Sequence, residues 1–166
     1  MRTRFVAILT VLLLAGFAAE SNAQASVNQN VTLAVNPIYL MAVSGDPAPL
    51  TITTGTAGSD QLTPVSDNST DYSMTQNVAG TVKITAEIDA ALAAGYTLEV
   101  NVSSTQGTSQ GDMDISSATS GSAMDVVTGI AMGANANQTI QYTFGALASA
   151  GQLAATTRVV MLTLTN

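Results

Sequence analysis

The stretch TVKITAEID, residues 81–89, places an apolar side chain at every even position and a polar one at every odd position. Successive side chains of an extended chain point to opposite faces. The run therefore reads as an antiparallel strand with Val82, Ile84, Ala86 and Ile88 in a core and Thr81, Lys83, Thr85, Glu87 and Asp89 in water. A sheet with one apolar face needs a second layer to cover it.

Residues 97–103 repeat the pattern, with Leu98, Val100 and Val102 inward and Thr97, Glu99, Asn101 and Ser103 outward. The intervening AALAAGY favours a turn of helix or a tight loop. Further strands are expected at 50–54, 72–78 and 138–144, the last with Ile140, Tyr142 and Phe144 on one face, and a weaker one at 124–130. Residues 38–43 form a continuous apolar run, expected to be buried on both faces. Residues 158–165 supply a final strand with Val160, Leu162 and Leu164 to one side, expected to lie inside a sheet. Segments rich in Gly, Ser, Asp and Asn, among them SDNSTD (66–71) and GANANQ (133–138), read as loops. Several short strands and no long amphipathic helix predict one all-β antiparallel sandwich over residues 24–166.

Residues 1–23 carry Arg2 and Arg4, an apolar run from Phe5 to Ala19, and Ser21-Asn22-Ala23 at a small-residue cleavage position. This is the layout of a secretory signal peptide, too short in its apolar run to span a bilayer. It predicts export through the Sec pathway to the cell surface or beyond, with no membrane insertion after cleavage. Arg2, Arg4 and Glu20 leave with it. Lys83 and Arg158 then face the remaining acids at a net charge of about −8, which disfavours nucleic acid and anionic membranes as partners. The chain has no Cys and no His. Disulfides, thiol nucleophiles, imidazole bases and the usual zinc ligands are thereby removed.

Directly after the expected cleavage site, VNQNVTLAV (27–35) puts Val27, Val31, Leu33 and Val35 on one face, interrupted by Gln29, before Asn36-Pro37 breaks the run. An amphipathic strand is expected there. At the other end, QTIQYTFGALASAGQLAATTRVVMLTLTN (138–166) runs from a Tyr-containing strand through an Ala/Gly loop into a Thr/Val-rich strand. This tail resembles the last hairpin of bacterial pilin-like β-sandwich subunits of the spore-coat-U and chaperone–usher types, and the head resembles the donor strands such subunits lend. The resemblance implies an Ig-like or pilin-like sandwich that polymerises by strand complementation. Val27, Val31, Leu33 and Val35 would be the donor residues, and Val160, Leu162 and Leu164 would line the acceptor groove. It also implies self-association into a homopolymer, with an export chaperone or assembly machinery as a further partner. Many chaperone–usher subunits carry a disulfide and an aromatic residue just before the C-terminus, whereas this chain has no Cys and has Thr165 there.

The remaining constellations carry little chemistry. Asp112-Met113-Asp114 and the acids at 67–71 offer oxygens for calcium but lack the spacing of an EF-hand loop. Lys83 is expected on a solvent face, paired across strands with Glu99 rather than activated beside a nucleophile. Glu87 and Glu99 form a carboxylate pair of the kind glycoside hydrolysis needs, but both fall on solvent faces. Tyr39, Tyr72 and Tyr96 are the candidates for a sugar platform in a chain without Trp. No catalytic residue, cofactor or metal site is assigned. The sequence favours a non-enzymatic subunit of an extracellular filament or surface layer, with a monomeric secreted binding or adhesion module as the alternative.

Overall fold

A computed structural model describes residues 25–166, and the signal-peptide reading of residues 1–23 lies outside them. Among the described residues are nine strands: β1 (Tyr39–Val43), β2 (Val65–Gln76), β3 (Lys83–Ile88), β4 (Tyr96–Val102), β5 (Thr108–Ser109), β6 (Met113–Asp114), β7 (Met124–Thr128), β8 (Gly133–Ala146) and β9 (Val160–Thr165). A single 3-10 turn at Ala148–Ala150 is the one helical element among them. The strands form two antiparallel sheets, β1-β2-β8-β4-β6 and β5-β7-β3-β9. The fold is an all-β sandwich.

The stretch that predicted the fold sits at its centre. Val82, Ile84 and Ala86 are fully buried and Ile88 nearly so, and on the opposing sheet Val100, Val102, Ile140 and Tyr72 meet them. Residues facing each other across strands share a face, so Ile84 is flanked by Val127 on one side and Leu164 on the other. Burying such a side chain contributes about 1.5–3 kcal/mol. AALAAGY is a tight loop, closed by Tyr96 N–H donating to the Ala93 carbonyl at 3.2 Å.

Two expected loops are strand. SDNSTD belongs to β2, where three residue steps from Asp67 to Thr70 oppose two on β8, from Tyr142 to Ile140. This is a β-bulge: one extra residue is accommodated and the strand changes which parity faces inward. Asp67 holds it by accepting from the Ser69 hydroxyl (2.8 Å) and amide (3.3 Å), and the hydroxyl keeps the Asp67 carboxyl below the usual carboxylate range. GANANQ belongs to β8, where Gln138 to Asn135 opposes Tyr72 to Met74. Asn137 there has φ of 52°, a conformation that Asn tolerates better than most residues, and its N–H donates to the Ser73 hydroxyl at 3.2 Å. A third bulge, in β7, lets the adjacent Val126 and Val127 both point into the core, which blurred the alternation at 124–130.

Other expectations are corrected. Residues 50–54 form no strand, although Leu50 and Ile52 are half-buried; two isolated bridges, Gly55 to Leu62 and Gln61 to Leu147, follow. The run 38–43 is not buried on both faces, because β1 is an edge strand, with Leu40 61% exposed. β9 lies at the edge of its sheet, not inside it, and it forms no hairpin with β8. The chain leaves β8 in one sheet and joins β3 in the other.

Two outcomes test this packing. Ile84→Ala should lower unfolding free energy by about 2–4 kcal/mol in urea titration, since it removes a fully buried branched side chain flanked by two strands. Burial pushes the Tyr142 hydroxyl up to about 12. The same group titrates near 10 in the unfolded chain, so its contribution is intact below about pH 10 and is lost as pH rises through 12, by about 1.4 kcal/mol per unit. Thermal melts at pH 9, 10 and 11 should show the decline beginning near 10.

Candidate functional site

β1 pairs only with β2 and β9 pairs only with β3, and these two edge strands approach one another across the sandwich. At the other side the chain itself crosses between the sheets, from β4 to β5 and back to β6. One seam is thus covered by continuous chain. The seam between β1 and β9 is lined on each side by an edge strand without a second strand partner.

Hydrogen-bond parity shows which groups the open seam presents. The β3–β9 register continues to Asp89 and Val159, where the Asp89 N–H donates to the Val159 carbonyl at 3.0 Å. In an antiparallel ladder alternate residues bond to the same neighbour, so Met161, Thr163 and Thr165 bond to β3. The N–H and C=O of Val160, Leu162 and Leu164 point to the free edge. On β1, the bonds from Asn77 N–H to the Ile38 carbonyl (3.3 Å) and from Ser44 N–H to the Asp71 carbonyl (2.8 Å) assign the even residues to β2. Tyr39, Met41 and Val43 therefore carry the free backbone groups.

The same six residues face inward. Tyr39, Met41 and Val43 stand opposite Gln76, Met74 and Tyr72, all buried; Val160, Leu162 and Leu164 stand opposite Ile88, Ala86 and Ile84, also buried. Yet Val43 is 55% exposed and Tyr39 36%, and Met41, Val160, Leu162 and Leu164 are only half-buried against the core. Along this seam the core is left partly open. Neither β1 nor β9 carries a charge, a proline or a bulge, the devices by which sheet edges are usually blunted.

The sequence named Val160, Leu162 and Leu164 as groove residues, and the structure places them together along β9. It missed Tyr39, Met41 and Val43. Their signal was the apolar run 38–43, whose unbroken hydrophobicity reads as burial when the strand's position in the sheet is unknown. The expected strand at 27–35 is not formed: residues 25–38 have no regular secondary structure, and Val27, Val31, Leu33 and Val35 are 87, 73, 86 and 81% exposed. A lone strand lacks the ladder partner it needs to be stable in water.

The other candidates do not converge. Lys83 pairs with Asp125 at 2.7 Å on a half-exposed face, not with Glu99, because β3 and β4 lie in different sheets. Glu87 and Glu99 sit on the outward faces of different sheets, so no sugar fits between them. Asp112 accepts from the Asn101 amide at 2.8 Å and Asp114 from the Ser116 amide at 2.9 Å; the described residues contain no group of three or more acidic, His or Cys side chains placed to hold a metal. Tyr72 and Tyr96 are buried, with hydroxyls donating to the Ser103 and Ala150 carbonyls. A shallow depression of about 430 Å³ holds only the Lys83–Asp125 pair as charged groups, and another of about 390 Å³, on the face of β1, β2 and β8, holds none.

No family model, curated protein or solved structure matches this chain.

Amide exchange reads the edge directly. In the free chain, the amides of Leu162, Leu164, Met41 and Val43 should exchange at least about tenfold faster than those of Met161, Thr163 and Ala42, which the ladder parity places in hydrogen bonds.

Proposed function

We propose that this protein is a non-enzymatic structural subunit, built to polymerise into an extracellular filament or surface layer by exchanging an edge strand between copies. The observation that carries the reading is the seam: six inward-facing apolar residues on two edge strands, left partly exposed, with unpaired backbone groups at the same positions. Strand addition supplies what such an edge lacks, namely a ladder partner and alternate side chains for the gap.

The same chain carries a segment of matching chemistry. Val27, Val31, Leu33 and Val35 would share one face of the leader once it is extended, interrupted by Gln29, and all four are exposed. Seated in a neighbour's seam, each would remove an apolar side chain from water, worth about 1.5–3 kcal/mol, and the leader backbone would bond to the free groups of Val160, Leu162 and Leu164 or of Tyr39, Met41 and Val43. A contact in which one copy's leader enters the next copy's seam is head-to-tail and does not close on itself, so repetition makes a filament. An acidic chain with few cations stays soluble before assembly.

Residues 24–166 should give fibres by negative-stain microscopy, with a ladder of multiples on an unheated denaturing gel that collapses on boiling. A chain shortened to residues 36–166 should lose this ladder and bind a peptide of residues 24–35. Leu33→Asp in the peptide, or Leu162→Asp in the acceptor, should weaken that binding by at least about thirtyfold. Uniform monomers at high concentration that ignore the peptide would overturn the reading and favour a monomeric binding module.

A further inference from the structure

An open seam poses a problem for a subunit of this kind, because its own leader is the segment nearest in sequence that could fill it. Only Asn36, Pro37 and Ile38 separate Val35 from Tyr39, and a hairpin there would lay the leader along the free edge of β1. We infer that Asn36-Pro37-Ile38, held by Asn77, is a directional stop that forbids this turn and reserves the leader for a second copy. The inference rests on the strand-exchange reading above.

Register comes first. A two-residue turn at Asn36-Pro37 would set Val35 opposite Ile38 and Leu33 opposite Leu40, putting the leader's apolar face on the outer side of β1 with Leu40 and Ala42. To set Leu33 opposite Met41 and Val31 opposite Val43, on the seam side, the loop must hold an odd number of residues, and the shortest holds three. Three-residue hairpins use a type I turn followed by a left-handed residue. Here that demands a helical conformation at Asn36, which a following proline disfavours. It demands proline at the second central position of a type I turn, where it is also disfavoured. And it demands a left-handed conformation at Ile38, a severe outlier for a β-branched residue. In the structure none of the three has positive φ.

Asn77 then fixes the chain on both sides of Pro37. Its Nδ2 donates to the Asn36 carbonyl at 2.9 Å, its Oδ1 accepts the Ile38 N–H at 2.7 Å, and its own N–H donates to the Ile38 carbonyl at 3.3 Å. Asn77 is itself anchored from within the core. The preceding Gln76 is buried, with its side chain donating to the Ile130 carbonyl at 3.2 Å and accepting the Val78 N–H at 2.7 Å. Asn77 is thus a positioning residue, outside the seam's apolar lining and acting through the backbone that feeds β1.

The test compares residues 24–166 in three forms: unaltered, Pro37→Asp/Ile38→Gly, and the latter combined with Asn77→Ala. Polymer fraction is read by sedimentation, and closure by exchange protection of the Tyr39, Met41 and Val43 amides in whatever monomer is present. The unaltered chain should polymerise. The turn variant, which supplies Asn-Asp-Gly, should raise the monomer fraction at least tenfold with those amides protected, and Asn77→Ala should raise it further. Turn variants that polymerise like the unaltered chain would overturn the stop and leave strand exchange standing. An unaltered chain that is monomeric with those amides protected would overturn the stop directly, because the leader would already close its own seam. An unaltered chain that is monomeric with the amides free would remove strand exchange, and the stop with it.

Discussion

Every β-sheet ends in strands that have backbone donors and acceptors on one side and nothing to bond them, and the placement of those edges governs this molecule. Among the described residues there are four such edge strands, and two of them, β5 and β6, are only two residues long and are joined by the chain that crosses between the sheets. The other two, β1 and β9, are brought side by side, uncharged and straight, with their inward side chains unfinished.

Bulges appear elsewhere, and they explain how long strands fit a small sandwich. β2 and β8 run for twelve and fourteen residues, long enough that an uninterrupted ladder would carry the accumulated twist out of register with the opposing sheet. The two bulges between them restore inward parity, so that Thr70, Tyr72, Met74 and Gln76 on β2, and Asn135, Ile140 and Tyr142 on β8, all reach the core. Two of the buried polar members are paired, Asn135 accepting from the Thr105 hydroxyl at 2.9 Å and Gln76 bridging Val78 and Ile130, whereas the buried Thr70 hydroxyl has no hydrogen-bond partner.

The legibility of the fold followed the physics of alternation. Residues 81–89 and 97–103 have one face in the core and one in water, and a period of two is visible without knowing any neighbour. SDNSTD and GANANQ misled because Asp, Ser and Asn bond their own backbone, a chemistry shared by turns and bulges. Only the partner strand shows that the ladder continues through them. Lys83 was correctly set on a solvent face, but its partner depended on which strands are adjacent. β3 neighbours β7, so the available acid is Asp125 and not Glu99.

The sequence by itself determined that the chain is all-β, which residues alternate inward, that Val160, Leu162 and Leu164 share a face, and that the leader carries an apolar stripe. These are properties of single strands, fixed by local covalent geometry. Only the tertiary structure decided that β1 and β9 are edges, that they face each other, and that Tyr39 and Val43 remain exposed while pointing inward. Strand order is a long-range pairing choice among segments of similar composition, and no local pattern encodes it.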